Sequence, residues 1–410
     1  MMSGIDPLVT HGGLNRTSNA SSPLSGIAGL PSAAEIWSSQ ATPETPEAVL
    51  PGSGSPFFWT GLPETAAAEP LVLEGGGWPP RRLSLALQGG GSFGAFTWGV
   101  LERLLEENSI ELDTISGASA GAVNGVLLAS GFAEGGREGA RSRLARFWKR
   151  VTTEGSYRSL MLIGGFSPLG TSVVFGPALS PGQFDPFDLD PLREAIKTEV
   201  DFSHLSDLSC PKLLIATTRV RDGQLHIFRN QDITVDVVLA STCPPFIHRA
   251  VEIVGESYWD GSYVANPPLL QLVRESAASD VLVVQITPTH DAQVPLTMAA
   301  IDRRLDQIIA NVPLNTETAA LDFARQLGAT SRLRSLRVFR IAAEDEIEGL
   351  AQRSNVDLGR AFIKLLHDSG RRAADRWLAR DPDEASPIQP KQVDRQAEWK
   401  VSSLLALEAH

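Results

Sequence analysis

Leu112-Asp113-Thr114-Ile115-Ser116-Gly117-Ala118-Ser119-Ala120-Gly121-Ala122-Val123 is the stretch on which the fold turns. It reads as a short strand, a G-x-S-x-G turn over 117–121 and the start of a helix. A strand–turn–helix of this kind holds its serine on a strained elbow and exposes the hydroxyl at the sheet edge. One helix and one strand upstream lies a second turn, Gly89-Gly90-Gly91-Ser92-Phe93-Gly94. A glycine-rich turn that opens a helix offers backbone N–H groups to an anion. A serine nucleophile with amide donors is the minimum equipment for acyl transfer.

The surrounding pattern is α/β. An apolar strand is predicted at 83–87 and a second strand at 112–116, with a helix of apolar spacing over 93–107 between them. Two further strands, 212–218 and 224–228, are joined by the Asp222-Gly223 turn of a hairpin. The uninterrupted apolar run 281–286 is typical of a strand buried on both faces. Helical patterns at 295–328 and 356–380 flank one more strand at 336–341. There is no internal repeat. Strand–helix alternation predicts a mostly parallel sheet with helices on both faces, and sites at the carboxyl ends of its strands. Both glycine motifs occupy that position.

Composition narrows the class. The chain has 410 residues, 36 basic and 48 acidic, for a net charge of −12. An acidic chain lacks the basic face that nucleic-acid binding requires, so no nucleic-acid partner is expected. Cys210 and Cys243 form no C-x-x-C pair and read as thiols of a reducing compartment, neither a disulfide nor a metal site. No signal peptide and no apolar run of membrane-spanning length is visible, so a cytoplasmic or peripheral-membrane location is expected. Residues 1–80 hold 11 of the 27 prolines, no lysine, seven acids and one arginine. Such a segment buries too little apolar surface to offset its ordering entropy and is expected to be a disordered tail. Phe57-Phe58-Trp59 and Trp78 are its candidates for local docking. A catalytic domain over 81–290 and a mainly helical extension over 291–410 complete the expected organisation.

Bland and rival readings compete for each motif. Gly89-x-Gly91-x-x-Gly94 also fits a dinucleotide fingerprint, but that fold wants an acid at the end of the second strand. Here Glu111 and Asp113 stand at its start. The serine needs a base. The order Ser119…Asp260…His290 imitates an α/β-hydrolase triad, yet that fold carries its oxyanion glycines well upstream, in another loop. The other candidate base is Asp260 itself, in Tyr258-Trp259-Asp260-Gly261-Ser262.

Taken together, the motifs at 89–94, 117–121 and 260–262 resemble those of the patatin-like phospholipases, serine acyl hydrolases with a Ser–Asp dyad. The resemblance extends through Phe96-Thr97-Trp98-Gly99-Val100-Leu101, Ala240-Ser241-Thr242-Cys243-Pro244-Pro245 and Gly261-Ser262-Tyr263-Val264-Ala265-Asn266-Pro267, and covers about 81–290. It implies a three-layer α/β/α fold and a lipid or acyl-ester substrate, with no metal and no cofactor. By the same resemblance, Ser119 is the nucleophile and Asp260 the proton acceptor. Gly89, Gly90 and Gly91 form the oxyanion hole, and Gly94, Gly117, Gly121, Gly261 and Ser262 are motif positions. Two residues depart from the pattern. Phe93 stands where a basic residue is frequent and implies a more apolar entrance; Ser262 stands where Gly or Ala is usual.

Two alternatives follow: a Ser–Asp–His esterase using His290, and a catalytically silent lipid-binding protein. Residues 137–184 are the candidate for peripheral membrane contact. They combine a basic stretch from Arg137 to Arg150 with an uncharged, apolar segment at 159–184. A solvated helix face and buried packing are the plain readings of the same residues.

Overall fold

The computed structural model describes residues 78–153, 190–245, 248–327 and 331–380. The chain divides into two compact units, Met1–Leu71 and Val72–His410, and every described residue belongs to the second. The expected tail lies outside the described residues apart from 78–80, as does the uncharged segment 159–184.

The sheet is built from β1 (Arg82–Leu87), β2 (Glu111–Gly117), β3 (Lys212–Arg219), β4 (Leu225–Arg229), β5 (Val251–Ile253), β6 (Glu256–Asp260), β7 (Asp280–Gln285) and β8 (Arg337–Ala342). Its order is β5-β6-β3-β2-β1-β7-β8, with β4 also paired to β3. The central pairs β3–β2, β2–β1, β1–β7 and β7–β8 are parallel, whereas β4 and β6 run antiparallel to β3. Side chains alternate across a pleated sheet, and the core divides accordingly. Leu83, Leu85 and Leu87 of β1 and Leu282 and Val284 of β7 face one layer. Ala86, Val281 and Val283 face the other.

The first layer holds helices α1 (Gly94–Leu105), α2 (Ala120–Thr153), α3 (Asp190–Glu199) and α4 (Val235–Ser241). The second is covered by α5 (Leu269–Glu275) and α6 (Met298–Gln326). After α6 come the short α7 (Ser331–Ser335), β8 and α8 (Arg360–Leu378), the last packed on the first layer. The result is the three-layer α/β/α arrangement. Helix α2 is two runs joined at Gly135 and Gly136, whose backbones are not helical.

The region after 290 is tied in by more than helices. Strand β8 extends the parallel sheet beside β7. Trp78 donates its indole N–H to the Leu378 carbonyl at 2.9 Å and packs edge-on against Trp377 and Phe339. Glu102 of α1 meets His367 and Arg371 of α8, which hold its carboxyl below the usual range, the His367 hydrogen bond first.

Candidate active site

Strand β3 assembles the site by sharing one edge between two partners. Strand β4 takes one edge along Leu214–Thr218. On the other edge β2 pairs as far as Gly117 against Ile215, and β6 takes over with Asp260 against Thr217. The chain leaving β2 at the serine elbow therefore meets the chain leaving β6 at Asp260. The Ser119 hydroxyl lies near enough to the Asp260 carboxylate to lower its pKa.

The elbow is under backbone constraint. Ser119 has φ +51°, a left-handed conformation that side-chain-bearing residues avoid. It is held there by its own N–H, which donates to the carbonyl and the hydroxyl of Ser241, both at 3.1 Å. The elbow also sits very close to β1: a Cβ at Gly121 would lie 2.1 Å from the Leu87 carbonyl oxygen. Gly117 faces the Gly121 backbone in the same way, and Gly94 faces Ala120 and Trp148.

Asp260 is 5% exposed and lies at the start of a short 3-10 turn, Gly261–Tyr263. Its carboxylate accepts from the N–H of Ser262 at 2.8 Å and from the Ser262 hydroxyl. Burial pushes its pKa up to about 6, against the pull of those bonds and of Ser119. Backbone contacts fix it further: its N–H donates to the Cys243 carbonyl at 3.0 Å and its carbonyl accepts from Thr218 Oγ1 at 2.7 Å. Residues 240–245 thus hold both sides of the pair, through Ser241 and Cys243. Gly261 lets the turn settle on Ala216, whose carbonyl oxygen a Cβ would approach to 2.1 Å.

The Gly89–Gly94 turn lies against the serine. A Cβ on Gly89 would fall 2.7 Å from Ser119 Cβ and 2.8 Å from the Ala118 carbonyl oxygen. The three glycines are not equivalent. Gly89 N–H already donates to Asn266 Oδ1 at 2.7 Å, so the expectation of Gly89 as an oxyanion donor does not fit its bonding. Gly90 and Gly91 N–H have no acceptor among the described residues, and both positions are half-exposed. Asn266, which the sequence marks only as one position of a longer motif, anchors this loop, with its Nδ2 on the Ala310 carbonyl at 3.0 Å. Gln88 adds a second anchor. Its Oε1 accepts from the N–H groups of Ile286 and Thr287, and its Nε2 donates to Asn311 Oδ1 at 3.0 Å. Helix α6 therefore supports the loop from behind through Ala310 and Asn311.

Several expectations change in this frame. Phe93 does not line an entrance. It is the third residue of a 3-10 turn, Gly91–Phe93, which points its ring inward onto Phe362 of α8, and it is 2% exposed. His290 is exposed; its Nδ1 lies 2.7 Å from Thr289 Oγ1 and 3.7 Å from Glu344. Asp113 accepts from Ser276 and the Ala277 N–H at the start of β2, away from the glycine turns, as the dinucleotide reading would not have it. Among the basic residues of 137–150, Arg141 pairs with Glu106 and Glu138, Arg143 with Glu134 and Arg146 with Glu199. Arg137 donates to the Ile110 carbonyl. That stretch uses much of its charge within the fold. Among the described residues there is no cluster of His, Cys, Asp and Glu fit to hold a metal, and no helix is long and apolar enough to cross a membrane.

Residues 85–273 match the family model described as patatin-like phospholipase. The chain carries a patatin-like phospholipase domain. It is an enzyme domain of the esterase and phospholipase class, and the matched span contains Ser119, Asp260 and the whole Gly89–Gly94 turn. An uncharacterized protein of Escherichia coli (strain K12), YjjU, is 25% identical over 302 residues, 71% of this chain and 77% of that protein. Among solved structures, VipD from Legionella pneumophila aligns at 15% identity and TM-score 0.38, over 73% of this chain and 68% of that one. ExoU in its complex with SpcU, from the type III secretion system of Pseudomonas aeruginosa, aligns at 19% identity and TM-score 0.31, over 74% and 68%.

The close approach at Gly89 of the patatin-like domain gives a direct test. Gly89→Ala is expected to fold but to lower kcat for a soluble ester about 10²-fold, because a displacement of roughly 1 Å at the reacting groups costs that much. Unchanged kcat would mean that this loop takes no part in the reaction.

Proposed function

We propose that this protein hydrolyses lipid acyl esters with Ser119 as nucleophile and Asp260 as its only proton acceptor. The observation that carries the reading is the meeting of the left-handed Ser119 elbow with the buried Asp260 carboxylate, whose pKa burial raises to about 6. Ser119 Oγ attacks the ester carbonyl carbon and its proton passes to Asp260. The carbonyl oxygen becomes an oxyanion and accepts from the N–H groups of Gly90 and Gly91. The amino end of α2, directly after Ser119, favours the same negative charge. Collapse of the tetrahedral intermediate breaks the ester C–O bond, and Asp260 returns the proton to the leaving alcohol. Water then attacks the acyl-serine by the reverse sequence and releases the acid.

A carboxylate with the ordinary pKa of about 4 is a poor base for a hydroxyl. Burial narrows the gap, as in other sites that tune a carboxylate by its surroundings. Asp260 needs no histidine relay in this reading because it lies beside the serine.

A fluorophosphonate probe should label the wild-type protein at Ser119, and His290→Ala should label and hydrolyse a short-chain p-nitrophenyl ester at the wild-type rate. A tenfold or greater loss in His290→Ala would return the protein to the triad reading. Absence of labelling in folded wild type would favour the silent lipid binder.

A further inference from the structure

Helix α6 faces the wrong way for a helix on a protein surface. Its inner row, Gln307, Asn311, Leu314 and Leu321, is buried. Opposite it stand Met298, Ile301, Leu305, Ile309 and Val312, all exposed. The row continues through the exposed Thr316 and Ala319 to Phe323 and Leu327. The seven large apolar side chains of this row are between 37% and 70% exposed. At 1.5 Å per residue the row is about 43 Å long. Monomeric proteins rarely show a contiguous apolar patch beyond a few hundred Å² without a partner for it.

We propose that this face of α6 is the surface by which the protein lies on the uncharged, zwitterionic surface of a phospholipid bilayer. Charge is the first argument. No position of the row is charged, although the chain carries −12. Asp302 and Asp306 stand on one flank of the row, and four further charged side chains bond into the fold. Arg303 donates to the Ala351 carbonyl, Arg304 to the Thr289 carbonyl, Arg325 to the Leu336 carbonyl, and Glu317 accepts from the Leu270 N–H. A face without charge fits a zwitterionic lipid surface, and a helix lying in that surface with its apolar side down is a known mode of attachment.

Periodicity is the second argument. From Met298 to Leu327 the row advances in eight steps, a mean of about 3.6 residues each, so it keeps to one side of an α-helix. A row meant for a wrapping partner helix would repeat at 3.5. Exposed Val294 and Leu296, in the loop before α6, extend the apolar surface beyond the helix itself.

Position is the third. The same helix holds the Gly89 loop through Ala310 and Asn311. Its Asp306 acts electrostatically on Tyr263, three residues after Asp260. A bilayer touching the outer face of α6 would therefore lie one helix diameter, roughly 10 Å, from the Gly89 loop.

The proposal rests on the lipid-ester reading of the site, so binding should be measured in a Ser119→Ala background, where loss of hydrolysis and loss of attachment are separate results. Ser119→Ala protein is expected to cosediment with phosphatidylcholine vesicles. Adding Ile301→Glu, Val312→Glu and Phe323→Glu should weaken partitioning at least tenfold. In a Ser119 background the same three substitutions should leave short-chain ester hydrolysis unchanged. An environment-sensitive fluorophore on Val312→Cys, with labelled wild type as blank, reads the contact without adding charge and should shift to the blue on vesicle addition. No vesicle binding by the parent, equal binding by the triple variant, or an unshifted fluorophore would each overturn the proposal. So would a parent that is a dimer, does not bind vesicles, and becomes monomeric with the three substitutions, since the occupant would then be a second copy.

Discussion

Ser119→Ala is expected to lower ester hydrolysis at least about 10⁴-fold, leaving only what the oxyanion donors and binding still supply, with the fold intact. The Ser262 hydroxyl bonds the Asp260 carboxylate but belongs to the turn that positions it, whereas Ser119 stands beside that carboxylate on the left-handed elbow. Alanine keeps the backbone problem at φ +51° and removes only the Oγ, so thermal stability should change little. Ser119→Gly makes a sharper companion. A left-handed residue with a side chain costs roughly 1–2 kcal/mol, and glycine escapes that cost. The glycine variant should therefore be as inactive as alanine and about 1 kcal/mol more stable. Both halves are measurable, by p-nitrophenyl ester turnover and by denaturant titration. A glycine variant less stable than wild type would show that the Ser119 side chain supports the fold, and that the elbow holds no strain for function.

The motif spacing carried much of this outcome. Two glycine turns at successive strand ends, separated by one helix and one strand, required a parallel sheet with both turns on the same edge. The strands predicted at 83–87, 112–116, 281–286 and 336–341 correspond to β1, β2, β7 and β8, whose residues are mostly buried within the sheet. The helix predicted over 93–107 starts one residue later, since a 3-10 turn precedes it. Short elements escaped notice. Helices α4 and α5 have seven residues each, fewer than two full turns beyond their caps, and their periodicity is too brief to read.

Side-chain direction was beyond the sequence. Phe93 occupies a motif position, and a motif says where a residue falls along the chain but not which way a 3-10 turn points its ring. Gly89 shares a run of three glycines with its neighbours, and only Asn266, 177 residues away, distinguishes its N–H from theirs. The outward apolar row of α6 was hidden for a related reason. A stripe at helical spacing is ordinarily the core face, and α6 carries its core on the opposite side through Gln307 and Asn311, two residues that composition counts as surface. The basic run at 137–150 shows the converse. It looked like an exposed patch until its acidic partners, as far away as Glu199, came beside it.

Asp260→Asn separates what the carboxylate does for chemistry from what it costs the fold. Loss of a positioned general base is worth about 10²–10⁴-fold, so kcat/KM for a soluble ester should fall by that range. In wild type the base works only when ionised. With its pKa at about 6, kcat/KM should rise with pH through a midpoint near that value and level off above it. Burial also pushes Asp306 up to about 6, so Asp306→Asn is the control, and it should leave the acid limb in place. The sign for stability is the reverse. The folded state holds the Asp260 proton more tightly than the unfolded chain, whose carboxyl titrates near the ordinary 3.8. Protonation therefore favours folding, and that contribution is lost as pH rises from about 4 to about 6. Two pKa units correspond to roughly 3 kcal/mol. Asparagine keeps an acceptor for the Ser262 N–H and hydroxyl without burying a charge. At pH 8 the variant should exceed wild type by about 2 kcal/mol, after allowing about 1 kcal/mol for weaker hydrogen bonds. At pH 4 the gain should vanish. Denaturant titrations at the two pH values measure this directly. An equal difference at both would mean that Asp260 is not a strained base, and full activity in the asparagine variant would remove it from the reaction altogether.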